Sequence, residues 1–187
     1  MRGWFGADGA WSIGQRSDAL PKPRLALFVS SGLWRGKRDP SRSLIDGKVV
    51  VVSISEVTAA TWACIRHRRL LVVRPHGQDV FFLPGGVPEP DETLEEAATR
   101  EVAEEVGIEL RPDDLTLFAE IVTAAYGRPG TDVRLVCFTG ESDAVPAPKD
   151  EIAEVAWFSA VDADRCAPAI QQLITRLVQA GLVLGQR

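Results

Sequence analysis

A strand pattern gives way to a helix pattern between residues 80 and 107, and this switch limits the folds open to the chain. The short run Val80–Leu83 reads as a strand, and the turn formers Pro84, Gly85 and Gly86 end it. Apolar residues then recur at steps of three and four, at Leu94, Ala97, Ala98, Val102 and Val106. Thr93 and Glu96 fit a capping box, and Gly107 stands where a helix ends. The pattern predicts a helix over 94–106.

The segments around this helix predict a mixed sheet. Each is rich in β-branched or apolar residues and is bounded by polar or turn-forming residues. The predicted strands are Val49–Ile54, Thr58–Ile65, Leu70–Arg74, Leu115–Ala125, Val133–Thr139 and Glu154–Phe158. An amphipathic stretch predicts a second helix from Ala169 to Leu184, with Leu182 on its apolar face. These elements together predict an α/β or α+β domain.

Residues 1–48 differ from the rest of the chain in composition and charge. They hold seven glycines and three prolines and show little periodicity. Nine Lys/Arg stand against four Asp/Glu there, whereas the remaining residues carry twelve against twenty-two. We therefore expect a basic, Gly/Pro-rich extension over 1–48, partly disordered, followed by an acidic folded domain over 49–187.

Composition favours a cytoplasmic protein. No apolar run approaches the roughly 18 residues of a membrane helix, and the first residues lack the apolar core of a secretory signal. Cys64, Cys137 and Cys166 lie far apart and are odd in number, which argues against a disulfide framework. Because the chain has only two histidines, we do not expect a zinc site. We expect neither a membrane nor a nucleic acid as partner, and a homodimer is compatible with the sequence.

Three glutamates on the predicted helix suit a divalent cation. Glu101, Glu104 and Glu105 are spaced i, i+3, i+4, so they share one face at about 100° per residue. Carboxylates this close repel one another unless a positive charge lies among them. Mg²⁺ and Mn²⁺ take oxygen ligands and often bridge carboxylates to phosphates. The alternative is an exposed glutamate-rich face without a ligand.

A longer pattern surrounds these glutamates. It reads G-x5-E-x7-R-E-U-x-E-E-x-G-U, where U is aliphatic, and the chain meets every specified position. The matching residues are Gly86, Glu92, Arg100, Glu101, Val102, Glu104, Glu105, Gly107 and Ile108. In this box of 23 residues the sequence resembles the Nudix (MutT-type) hydrolase family. The order of the strands is compatible with that family over 49–187, and the extension lies outside the resemblance.

The resemblance implies an α/β/α sandwich with a loop–helix–loop catalytic element. Glu101, Glu104 and Glu105 would bind Mg²⁺ or Mn²⁺, and Glu92 and Arg100 would orient these ligands. Gly86 would let the backbone approach the metal or a phosphate, with its carbonyl as a further ligand. A metal-activated water would then attack phosphorus in a diphosphate linkage.

Other site residues are less tightly specified. Glu151 is the favoured general base or extra ligand and Glu154 the second choice, against the alternative of a solvated loop carboxylate. Arg74 ends a strand and is the candidate for binding phosphate, although such a residue is often only solvated. His76 is a weaker candidate. Phe82 could line a pocket for a nucleobase or belong to the core.

The box indicates a chemistry and leaves the substrate open. Nucleoside triphosphates, including oxidised ones, come first because the domain is small and has no obvious insert. Dinucleoside polyphosphates come second. Tyr126 lies 18 residues after Ile108, near the position where some family members that act on these substrates carry a tyrosine. ADP-ribose or nucleotide sugars come third. For these substrates the family resemblance leads us to expect a proline about 16 residues beyond the box, where this chain has Ala124 and Ala125. A ligand sensor or regulator without catalysis is the alternative class, and the intact box favours an enzyme.

Overall fold

The structure is a computed structural model that describes residues 55–185 in full. Before residue 55 it describes the backbone of four short strands: β1 (Trp4–Phe5), β2 (Trp11–Ser12), β3 (Arg42–Ile45) and β4 (Lys48–Val51). β1 pairs with β2, and β3 pairs with β4. β4 overlaps the predicted strand Val49–Ile54, whose last three residues lie outside the described residues. The expected extension and domain boundary at residue 48 stay predictions.

Two sheets form the centre of the domain. The first has the order β8–β5–β10–β9, with β5 at Ser55–Trp62, β8 at Gly85–Gly86, β9 at Thr116–Ala124 and β10 at Thr131–Thr139. β5 and β10 run parallel, and the other neighbours run antiparallel. The second sheet is antiparallel with the order β11–β7–β6, where β6 is Ile65–Arg66, β7 is Arg69–Pro75 and β11 is Ile152–Phe158. The expected mixed sheet is confirmed.

Alternate residues of the central strands pack against different helices, α1 (Leu94–Val106) and α2 (Pro168–Gln179). In β7, Leu70 and Val72 join a core cluster with apolar residues of α2. Leu71 and Val73 join a separate cluster with Val102 of α1 and its neighbours. Successive side chains of a strand point to opposite faces, so the strands present one apolar surface to each helix. This arrangement confirms the α/β/α sandwich.

Helix α1 begins and ends where the sequence predicts. The Thr93 hydroxyl accepts the N–H of Glu96, and the Glu96 carboxylate accepts the N–H of Thr93, which completes the capping box. Gly107 ends the helix in the left-handed conformation, at φ 70°. No helix within the described residues is both long and apolar enough to cross a membrane.

The prediction that the last helix continues to Leu184 is wrong. α2 ends at Gln179, and Gly181 adopts φ 72° and turns the chain away from the helix axis. The N–H of Leu182 donates to the Leu177 carbonyl at 2.9 Å across this turn. Leu182, which extended the predicted apolar face past the turn, is 40% exposed, so periodicity alone did not reveal the end of the helix.

The predicted strand over Val80–Leu83 is also wrong as a regular strand. Isolated bridges join Val73 to Phe82 and Phe81 to Cys166. The ladder forms one step later, where Gly85 and Gly86 pair with β5. Gly85 has φ 143°, and a Cβ added to it would lie 2.3 Å from the Ala60 carbonyl oxygen. Glycine is required because this close strand approach leaves no room for a side chain.

Thr93→Ala should lower the free energy of unfolding by about 1 kcal/mol, because it removes the side-chain acceptor at the N-terminus of α1. Chemical denaturation of the variant and the wild type measures the difference. Thr93→Ser keeps the hydroxyl and is the matched control. Equal losses in both variants, or none in Thr93→Ala, would contradict the contribution assigned to the cap.

Candidate active site

Three carboxylates converge beside the N-terminal end of the second sheet's last strand. Glu101 and Glu105 lie one turn apart on α1, and Glu151 directly precedes β11. One carboxylate oxygen from each lies within 4.8 Å of the others. The chain thus brings together oxygen donors from two segments that are distant in sequence. Such a set suits a hard divalent cation.

Glu105 is the most deeply buried member of this cluster, with 5% of its surface exposed. Its carboxylate accepts the N–H of Gly85 at 3.0 Å. Burial raises the pKa of Glu105 well above its ordinary value, and the negative charge of Glu101 adds to the rise. Among the ion pairs of residues 55–185, none includes Glu105. A buried anion without a cationic partner is costly unless a cation or a proton compensates it.

Glu101 lies against the backbone of β8. A Cβ added to Gly86 would lie 2.4 Å from the Glu101 Oε1 atom, so the missing side chain at residue 86 makes the space for this carboxylate. The Glu101 side chain is 12% exposed and accepts a 2.7 Å hydrogen bond from Arg100 Nη1. Burial raises the pKa of Glu101, and the Arg100 charge opposes that rise in part.

Arg100 connects the box glutamates. Its Nε and Nη2 atoms donate to the two carboxylate oxygens of Glu92 at 2.9 and 3.0 Å. These hydrogen bonds hold the pKa of Glu92 below its ordinary value. Glu92 is fixed in turn by the N–H of Glu89, which donates to it at 2.8 Å. The arrangement fixes the Arg100 guanidinium beside Glu101. The role of Glu92 and Arg100 in orienting metal ligands stays a prediction.

Glu104 lies at the edge of the cluster. Its side chain is 56% exposed, and its carboxylate lies 3.5 Å from Arg100 Nη1. Its oxygens are not part of the group within 4.8 Å that Glu151 completes. The assignment of Glu104 as a ligand stays a prediction.

A loop that caps α1 places Glu151 in the cluster. The N–H of Lys149 donates to the Glu105 carbonyl at 3.0 Å, and the N–H of Ala147 donates to the Val106 carbonyl at 3.1 Å. These bonds satisfy carbonyls that the end of a helix leaves unpaired. The Glu151 carbonyl accepts the N–H of His76 at 2.9 Å. Partial burial raises the pKa of the Glu151 carboxyl, and the charges of neighbouring acidic residues add to the rise.

Arg74 and Glu154 pair with each other away from this cluster. They face each other across β7 and β11, and Arg74 Nη2 lies 2.7 Å from Glu154 Oε2. Arg74 Nη1 also donates to the Gln78 carbonyl at 3.2 Å. Glu154, the second choice for a base, is therefore engaged by Arg74. The phosphate-binding role of Arg74 stays a prediction.

An apolar cavity of about 140 Å³ adjoins the carboxylates. Glu105 and the backbone of Gly85 and Gly86 contribute to its wall, so cavity and cluster share a boundary. Phe82 and Tyr126 contribute aromatic rings whose centres lie 6.1 Å apart in an edge-to-face arrangement. The sequence singled out both rings but gave no sign that they meet.

A family model described as the NUDIX domain matches residues 56–177, which is most of the chain. The chain belongs to the Nudix family. The matched span contains the complete glutamate pattern and the cavity-lining strands, so the expected family is confirmed.

Two curated relatives show similarity over shorter segments. The NAD-capped RNA hydrolase NudC of Deinococcus radiodurans is 36% identical over 95 residues, which cover 48% of this chain and 30% of NudC. A MutT-like protein of Streptomyces ambofaciens is 50% identical over 48 residues, covering 26% of this chain and 31% of that protein. The matches span about a third of the length of each relative.

A solved structure supports the Nudix fold. The MutT protein from Methanosarcina mazei Go1 superposes with a TM-score of 0.56 at 21% identity, covering 68% of this chain and 96% of that chain. At this identity the similarity concerns the fold alone.

Sequence reasoning missed part of the Nudix cavity. Gln78, Arg128 and the first residues of α2 line it as well. Gln78 follows Gly77 in a turn whose sequence resembles any surface turn. Its position facing the cavity follows from tertiary packing that no local pattern encodes.

Glu105→Gln should raise the stability of the metal-free protein on the order of 1 kcal/mol at neutral pH. The folded state raises the pKa of Glu105 above its ordinary 4.5, so the charged form costs stability as the pH rises past that value. The amide removes this cost and still offers an oxygen to the Gly85 N–H. Urea unfolding in EDTA across a pH series measures the difference.

Below pH 4.5 the side chain of residue 105 is largely neutral in the unfolded wild type as well as in the variant. The stability gain of Glu105→Gln should therefore vanish there. Glu104→Gln, at a mostly exposed position, is the control and should change stability little. A Glu105→Gln variant that is less stable than the wild type at neutral pH would contradict the assigned cost.

Proposed function

We propose that the chain is a Mg²⁺- or Mn²⁺-dependent hydrolase that cleaves a diphosphate linkage in nucleotides. Nucleoside triphosphates, including oxidised ones, are the first substrate class. The observation that carries the proposal is the cluster of Glu101, Glu105 and Glu151 beside an apolar cavity that contains two aromatic rings. Nudix hydrolases act on phosphoric anhydride bonds, and the chain carries the full family pattern.

The donor set supports a divalent cation. Hard cations prefer carboxylate oxygens, and charge among buried carboxylates is most easily neutralised by an ion bound between them. Glu101 and Glu105 would hold the ion, joined by the more exposed Glu104 and the Gly86 carbonyl. When bound, it would neutralise charge on the diphosphate and lower the pKa of a bound water.

The protein's own residues prepare this chemistry. Arg100 holds Glu101 in one rotamer, and the Gly85 N–H does the same for Glu105. Glu151 is proposed as the general base that takes a proton from the attacking water. Its position supports this role, because one of its carboxylate oxygens lies within 4.8 Å of the Glu101 and Glu105 oxygens.

The cavity supports a substrate with an aromatic base. Phe82 and Tyr126 offer ring surfaces for stacking, and the rest of the cavity wall is largely apolar. Three unpaired, buried cysteines support a cytoplasmic location, where thiols stay reduced.

A dinucleotide-type substrate is the second candidate. Tyr126 is 43% exposed at the cavity, so its ring could contact a second base outside it. The curated relative NudC is named for an NAD-capped RNA, which contains a diphosphate between two nucleosides. ADP-ribose and nucleotide sugars share the same linkage and belong in the same assay. A regulator without catalysis remains the alternative class.

Glu105→Gln should lower metal-dependent turnover at least about 100-fold while the variant keeps its fold. The assay measures phosphate or pyrophosphate release with Mg²⁺ or Mn²⁺, and with EDTA as the control. Substrates are canonical and oxidised nucleoside triphosphates, diadenosine polyphosphates, ADP-ribose and nucleotide sugars. Glu95→Gln, outside the cluster on the same helix, is the matched variant. Near-normal rates in Glu105→Gln, or turnover that survives EDTA, would refute the proposed ligands.

Glu151→Gln should lower kcat by roughly 10²- to 10⁴-fold without changing the metal concentration that gives half-maximal activity, because the amide cannot accept the proton. Metal titrations of Glu151→Gln and Glu105→Gln side by side separate a base from a ligand. A shift in the metal requirement of Glu151→Gln would assign Glu151 to the metal instead.

A further inference from the structure

The polar side chains of the cavity differ in whether they are already engaged. The Thr61 hydroxyl donates to the Val136 carbonyl at 3.2 Å, and the Glu105 carboxylate accepts the Gly85 N–H. Gln78 lines the same cavity, and its side-chain amide forms no hydrogen bond within residues 55–185. A half-buried glutamine in the wall of an apolar cavity can offer both a donor and an acceptor to a ligand.

The backbone of Gln78 is held more firmly than that of an ordinary surface turn. Its N–H donates to the Pro75 carbonyl at 3.2 Å, which closes the turn around Gly77. Its carbonyl accepts a hydrogen bond from Arg74 Nη1, and Glu154 fixes that guanidinium from the neighbouring strand. These hydrogen bonds hold the backbone of Gln78 in place, and its side-chain amide stays available to a ligand.

The cavity and the amide match different parts of a nucleobase. The faces of the ring are apolar and suit Phe82 and Tyr126, whereas its edge carries donors and acceptors that lose free energy if they are buried unpaired. A glutamine amide can form two hydrogen bonds with an edge that presents a donor beside an acceptor. No apolar residue of the wall can meet that requirement.

We propose that Gln78 is a specificity-determining residue that reads the hydrogen-bonding edge of the substrate's base, while Phe82 and Tyr126 contact the ring. The inference rests on the proposed function, because it places the base in the cavity next to the catalytic glutamates. It goes beyond that function by assigning base selection to the turn over 75–78.

The test measures binding of AMP, GMP, CMP and UMP to the full chain by calorimetry. The companion ligand is benzimidazole riboside 5′-monophosphate, whose six-membered ring has no nitrogen and no exocyclic group. Gln78→Leu should weaken binding of the best natural nucleotide by about 5- to 100-fold and leave binding of the benzimidazole compound within twofold. The same pattern should appear in KM for the corresponding triphosphates, with kcat little changed.

Asp79→Leu is the matched control, because Asp79 is exposed, adjoins Gln78 and does not line the cavity. This variant should change the binding of neither the natural nucleotide nor the benzimidazole compound. Gln78→Met keeps the unbranched shape but removes the amide donor and acceptor, so it should weaken binding of the natural nucleotide as Gln78→Leu does. This second variant keeps the test valid if leucine disturbs the turn.

Three outcomes would overturn the proposal: unchanged binding in Gln78→Leu, equal losses for the natural nucleotide and the benzimidazole compound, or no binding of any nucleotide by the wild type. Turnover assays with Glu105→Gln decide the proposed function separately. Metal-dependent turnover without base discrimination at Gln78 would reject this inference alone. Base discrimination without turnover would support it and reject the hydrolase.

Discussion

The site depends on the close approach between α1 and a two-residue strand that has no side chains. Gly85 and Gly86 pair with β5 on one side and meet the glutamates of α1 on the other. The Gly85 N–H holds Glu105, and the space beside Gly86 holds the Glu101 carboxylate. Any side chain at residue 86 would occupy the position of that carboxylate, so the absence of two Cβ atoms sets where the acidic groups stand.

The glutamate cluster opposes the stability of the domain that contains it. Burial of Glu101 and Glu105 favours their neutral forms, and their proximity adds repulsion. The fold offsets this cost with local devices that belong to the same helix: a capping box at one end, a glycine at the other and an apolar face against both sheets. Arg100 compensates part of the charge at the rim, while the innermost carboxylate accepts the Gly85 N–H but forms no ion pair within residues 55–185. A site that is poorly satisfied without its cation is typical of residues kept for function.

How far the sequence predicts the structure depends on the range of the interactions involved. The predicted bounds of α1 were correct to the residue, because its cap, its apolar period and Gly107 all lie within the helix or beside it. The predictions of a strand at Val80–Leu83 and of a helix to Leu184 were wrong, because the apolar period records neither the strand pairing at Gly85 nor the turn at Gly181. Glu151 as a general base or extra ligand stays a prediction, and its convergence with Glu105 depends on a loop that caps α1. Gln78 had no sequence signal, since nothing local distinguishes a turn that faces a cavity from one that faces water.

One short turn connects the two halves of the site. The N–H of His76 donates to the carbonyl of Glu151, the proposed base, and the carbonyl of Gln78 accepts a hydrogen bond from Arg74. Residues 75–78 therefore hold the backbone of the proposed base through one hydrogen bond and include a cavity-lining glutamine two residues later. A base held by Gln78 and a proton acceptor at Glu151 would share this support, so displacement of the turn would disturb recognition and chemistry together. If Gln78 selects the base and Glu151 takes the proton, substitutions that move the turn should change KM and kcat jointly.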